Sequence, residues 1–120
     1  MNAGLARRQR ILSPLLFQKI MREGQSFAGR FLVAWVQAGR GRPGEPARKL
    51  GVIASKRTFR RAVDRNRARR LLREAFRLNR AALTKDVDVV IVARGKILAV
   101  KRPAVETDLR RVMRHLGVMP

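Results

Sequence analysis

Residues 55–80 read SKRTFRRAVDRNRARRLLREAFRLNR, and 11 of these 26 residues are Lys or Arg against two acids, Asp64 and Glu74. From about Ala62 the stretch predicts a helix, because Ala, Leu and Arg dominate and neither Gly nor Pro interrupts it. Steps of roughly 100° per residue sort its side chains into two arcs. Leu71, Leu78, Ala82, Ala75, Ala68, Leu72, Leu83 and Phe76 share one arc. Arg69, Arg73, Arg77, Arg80, Arg70, Arg67 and Asn66 share the other. One face is built for a core and the other is almost wholly cationic.

A solvated face crossed by ion pairs does not account for this charge. Arg65, Arg69, Arg73 and Arg77 follow one another at i, i+4 spacing, and each such like-charge pair costs roughly 0.2–0.5 kcal/mol. Glu74 can relieve Arg70 and Arg77, and Asp64 one neighbour more; the remaining charge lacks a partner within the helix. A polyanion is the natural counter-surface, and the guanidinium fork suits phosphate. Asn66 among the arginines has the groups to read a base edge or a sugar, and is equally well explained as a solvated residue.

Composition agrees. The 120 residues suffice for one domain with a modest core, and a hydrophobic fraction of 46% is that of a globular chain. Lys and Arg number 29 against 8 acids, a net charge of +21. That excess points to nucleic acid and not to a membrane, since no long apolar stretch accompanies it. Without cysteine, disulfide and thiolate chemistry are excluded. The apolar run after Arg7, Arg8 and Arg10 is too short for a secretory signal, so a cytoplasmic location is expected.

Residues 1–12 are expected to be a flexible basic lead-in. Ser13-Pro14 is a helix start, and the helix should run to about Arg22 and stop at Gly24. Leu16 with Ile20, and Phe17 with Met21, form two i, i+4 pairs, and the pattern favours one broad core stripe for both. Residues 30–37 predict a strand, with Phe31, Val33 and Trp35 on one face and Leu32, Ala34 and Val36 on the other; a strand in the region 26–36 is also able to split in two. Residues 38–49, rich in Gly and Pro, predict a hairpin loop before a strand at Leu50–Ser55. Thr84–Asp86 turns the chain into a mostly apolar, central strand, Val87–Ala93. Pro103 opens a last helix with Val105, Leu109, Val112 and Leu116 buried and Gly117 at its end. The order gives an α+β fold, a two-layer sandwich of helices on a small mixed β-sheet.

No catalytic constellation emerges. His115 is the only histidine, no zinc-ligand spacing exists, and no phosphate-binding Gly loop of the GxxxxGK type is present. Glu106 and Asp108 are read as first-turn residues that suit the dipole of the last helix.

Ala54-Ser55-Lys56-Arg57, then Arg60-Arg61-Ala62, then the run from Arg65-Asn66-Arg67 to Phe76 resembles the basic signature of the protein subunit of bacterial ribonuclease P. Phe17-Gln18-Lys19-Ile20 followed by Gly24 is similar to that family's first helix, and the likeness extends from about Ile11 to Leu116. The resemblance implies a left-handed βαβ crossover, in a domain similar to one of ribosomal proteins. It implies a role in removing the 5′ leader of precursor tRNA, with catalytic groups and Mg²⁺ on a large RNA subunit and neither catalytic residue nor metal site on this chain. By matching positions, Lys56, Arg57, Arg60, Arg61, Arg65, Asn66, Arg67, Arg69, Arg70 and Arg73 would meet the RNA subunit. Phe17, Met21, Phe31, Val33 and Trp35 would line a cleft for the single-stranded leader, with Met21 where the family often carries an aromatic. A ribosomal or RNA-chaperone protein fits the charge and size equally well; a free-standing nuclease lacks its carboxylate and histidine cluster.

Overall fold

A computed structural model of the chain describes residues 14–38 and 50–120. The basic lead-in and the Gly/Pro-rich segment 39–49 lie outside the described residues. Helix α1 covers Pro14–Glu23, strand β1 Gln25–Ala28, β2 Leu32–Ala38, β3 Leu50–Ile53, helix α2 Ala62–Asn79, β4 Val87–Ala93 and helix α3 Arg102–His115. The strand expected at 30–37 is β2, and the region 26–36 does split in two: β1 precedes it and pairs with it as an antiparallel hairpin, Gln25 opposite Val36 and Ala28 opposite Val33.

The sheet order is β1-β2-β4-β3. β4 lies antiparallel to β2 and parallel to β3, so the expectation of a β2–β3 hairpin is corrected: β4 separates the two strands. Glycine and proline in the linker mark a break in regular structure, and that signal is the same for a tight hairpin and a longer crossing. The parallel pair β3 and β4 is joined through α2, the βαβ unit that the resemblance implies.

Period-two alternation builds a core on each sheet face. Leu32, Ala34 and Val36 of β2, with Val87, Val89, Ile91 and Ala93 of β4, pack under α2 and α3. Trp35 and Val90, direct cross-strand partners, face the other way and are crossed by α1, where Ile20 is fully buried. Covered on both sides, β4 is the near-continuous apolar run expected of a central strand.

α2 buries Ala68, Leu72, Ala75 and Phe76, as its apolar arc predicts. Leu78 instead stays 44% exposed, and Ala82 is exposed beyond the end of the helix. Asn79 takes the inward position. Its side-chain amide donates to Ala75 O at 2.7 Å and Glu106 Oε1 at 3.0 Å, and its carbonyl accepts from Arg110 at 3.0 Å. These bonds bridge α2 to α3.

Asp108 corrects a second expectation. It lies beyond the first turn of α3, is buried, and accepts the backbone N–H groups of Arg30 at 3.1 Å and Phe31 at 2.9 Å. Its role is to pin the β1–β2 turn to α3. A Cβ on Gly29 would stand 2.5 Å from a carboxylate oxygen of Asp108, so the turn approaches closely only because residue 29 lacks one.

Candidate nucleic-acid interface

The residues before α2 form a compact basic loop. Phe59 is buried and anchors it; its amide donates to Ser55 O at 2.9 Å, while Ser55 Oγ accepts the Thr58 amide at 3.1 Å. Arg65 reaches back from the first turn of α2 to the carbonyls of Phe59 at 2.9 Å and Arg60 at 3.1 Å. Arg69 reaches Ala54 O at 3.4 Å. Two of the ten predicted RNA-facing residues thus spend donors on holding the loop against the helix. Lys56, Arg57, Arg60, Arg61, Asn66, Arg67, Arg70 and Arg73 are exposed around them.

The two long helices use arginine differently. On α3, Arg102 and Arg110 bond Glu106 at 3.2 and 3.8 Å, and Arg111 bonds Asp108 at 2.9 Å. On α2, Glu74 takes Arg77 at 2.9 Å. Among the described residues Lys56, Arg57, Arg60, Arg61, Arg67 and Arg70 enter no ion pair. Their donors remain directed outward, a cationic surface without a counter-charge of its own.

A second, only partly buried apolar cluster lies on the sheet face that α1 crosses. Phe17, Met21 and Trp35 are half-buried and packed in one cluster with Ile20, Val90, Leu16 and Ile53. Phe17 approaches β3 closely: a Cβ on Gly51 would stand 2.5 Å from Phe17 Cζ. Val33 follows Trp35 on the same strand face and is half-buried, opposite Val92. Phe31 is not brought to this group. β2 begins at Leu32, the Phe31 amide is held by Asp108, and the ring packs against the larger core under α3; alternation cannot be carried past the strand's end.

Val33, Val92 and Ile53 form the less covered part of the floor. From Ile53 the chain runs directly into Ala54–Arg57, and a Cβ on Gly95 would stand 3.7 Å from Thr58 Cγ2. This end of the apolar cluster therefore adjoins the basic loop. Arg94 stands at this end, bonded to Gly29 O at 2.9 Å, with exposed Lys96 near it. At the end of α1, Glu23 accepts from Gln37 at 3.3 Å and pairs with Lys19 at 3.9 Å, and a cavity lined by Glu23, Gln25, Lys85, Asp86 and Leu116 lies beside it. Sequence reasoning missed Gly51 and Arg94. An isolated Gly in an apolar strand is the available signal, since it marks close approach of another group.

Among the described residues no cluster of three His, Asp or Glu side chains has the arrangement to hold a metal ion, and no helix is long and apolar enough to cross a membrane. His115 stacks on Phe27 with ring centroids 3.7 Å apart.

Comparison with known proteins adds the following. The model of the family described as Ribonuclease P matches residues 5–117. The chain is 35% identical to the Ribonuclease P protein component of Chromohalobacter salexigens over 115 residues, covering 96% of this chain and 87% of that protein. It is 32% identical to the component of Shouchella clausii over 115 residues, covering 96% and 91%. The fold is similar to the solved RNase P protein of Staphylococcus aureus, with a TM-score of 0.77 and 25% identity over 93% of this chain and 98% of that one. It is also similar to the RNase P protein of Thermotoga maritima, with a TM-score of 0.65 and 26% identity over 78% and 84%.

Proposed function

The chain belongs to the ribonuclease P protein family, and on that premise we propose that it binds the catalytic RNA of ribonuclease P and the 5′ leader of precursor tRNA, assisting endonucleolytic release of the leader in the cytoplasm. The observation that carries this reading is the juxtaposition of a partly exposed apolar cluster with a loop whose lysine and arginines enter no ion pair among the described residues. A single strand needs both: bases stack on the floor while phosphates meet cations at the rim.

In this reading Lys56, Arg57, Arg60, Arg61, Arg67, Arg70 and Arg73 contact RNA phosphates, with Asn66 among them. Arg65 and Arg69 present the loop. Phe17, Met21, Val33 and Trp35 receive the leader. Stacking on Trp35 and Phe17 is worth roughly 1–3 kcal/mol per base and tolerates many sequences, which suits a substrate set with varied leaders. In this reading the catalytic groups belong to the RNA subunit. Mg²⁺ held by the RNA, as the family resemblance implies, would activate the attacking water.

Reconstitution tests the reading. The purified chain, added to a bacterial ribonuclease P RNA at low Mg²⁺, should restore cleavage of precursor tRNA. Trp35→Ala should weaken binding of precursor tRNA about tenfold and leave binding of mature tRNA, which lacks a leader, nearly unchanged. Equal losses for both tRNAs, together with a lower melting temperature, would make Trp35 a core residue and remove the cleft from the function.

A further inference from the structure

A second aromatic feature lies on the opposite side of the sheet from the cleft. Phe27 belongs to the edge strand β1 and packs against the larger core. His115, the last residue of α3, is exposed and lies over it, with ring centroids 3.7 Å apart and planes inclined by 24°. Phe27 thus covers one face of the imidazole, and the exposure of His115 leaves the other to solvent. Arg111 sits one turn back along α3, about 6 Å along the axis, and is fixed by Asp108 at 2.9 Å. Arg114, adjacent in the chain, is exposed and enters no ion pair among the described residues. Asp108 also holds the amide of Arg30, whose exposed side chain adds a third cation at the β1–β2 turn.

We propose that the Phe27–His115 stack is a platform for an unpaired RNA base, with Arg111 and Arg114 taking the flanking phosphates: a second single-strand contact, separate from the cleft. Phe27 holds the imidazole flat, so a base stacking on its outer face orders little further. An aliphatic residue at 115 would cover Phe27 equally well but would present no flat outer face. Cations beside an open ring are the combination by which proteins hold single strands without reading sequence. An acidic peptide would use the arginines but not the ring, and the experiment distinguishes the two.

The full-length chain is titrated with an oligoadenylate of about 20–30 nucleotides, longer than the roughly 4–16 nucleotides of a single site, and with an abasic strand of the same length. His115→Ala should weaken oligoadenylate binding about tenfold, equivalent to roughly 1.4 kcal/mol, His115→Trp should restore it, and the abasic strand should bind all three proteins alike. In the Trp35→Phe, His115→Trp double variant the single tryptophan reports on this site directly. Oligoadenylate should quench its fluorescence and the abasic strand should not. Equal losses on both strands would mean that His115 acts through charge or as a lid over Phe27, and the proposal would be overturned. An unchanged affinity, or a reporter that is not quenched, would overturn it as well.

Discussion

Gly51→Ala separates the cleft from the fold more sharply than any truncation. The new methyl would stand 2.5 Å from Phe17 Cζ, where ordinary carbon contacts lie at about 3.5–4.0 Å, so the ring must retreat by about 1 Å or more. It has somewhere to go, because Phe17 is only half-buried. Fully burying such a side chain is worth about 1.5–3 kcal/mol, so lifting a half-buried one costs on the order of 1 kcal/mol. Gly51 does not have a positive φ, and alanine there offsets part of that cost by about 0.4–1 kcal/mol through the unfolded chain. At about 4 °C per kcal/mol for a chain of this length, the melting temperature should change by only a few degrees. On the proposed reading the leader, however, would lose the surface on which Phe17 presents its ring. The expected result is about a tenfold fall in the ratio of precursor to mature tRNA affinity, measured by direct binding to the reconstituted enzyme. A folded variant with an unchanged ratio would refute the reasoning. A fall of well over 10 °C would show that Phe17 is a core residue and not a cleft residue.

The remaining expectations concern charge and the hairpin. Arg67→Ala with Arg70→Ala should leave stability unchanged and flatten the log-affinity versus log-salt slope for the RNA subunit by about 1.4–1.8, from 0.7–0.9 per phosphate contact; an unchanged slope takes both residues out of the interface. Arg65→Ala should weaken RNA binding more than Arg67→Ala although each removes one charge, because Arg65 also holds the carbonyls of Phe59 and Arg60; equal effects would count against a positioning role. Asp108→Ala orphans two amides and should cost about 2–4 kcal/mol, read as a thermal shift of about 10 °C.

The parts of the molecule governed by local periodicity were legible. α2 starts at Ala62 and divides its faces as a 3.6-residue repeat requires, and β2 and α1 present the expected stripes. What escaped depended on distant partners. Asp108 reads as a residue serving its own helix, yet its partners lie 77 and 78 residues away. Phe31 continues the alternation of Val33 and Trp35 in the sequence, but a long-range bond ends the strand before it. Gly51 is silent until Phe17, from another element, is laid across it. The neighbour relation of β2 and β3 is a property of the whole sheet, and linker composition carries no trace of it.

The contrast between the ion-paired arginines of α3 and the bare ones around α2 has a consequence for the chain when no RNA is present. Ionic strength should act on it in opposite directions. Salt screens the mutual repulsion of the α2 surface and raises the melting temperature of the free protein, while the same salt weakens the complex. On the proposed reading RNA would supply the missing counter-charge and stabilise the chain by mass action. Copies made in excess of the RNA would then be the less stable fraction and the first removed by proteolysis. Protein quantity would follow RNA quantity with no dedicated regulator, which a pulse-chase measurement of the chain at two levels of RNA expression would detect as two half-lives.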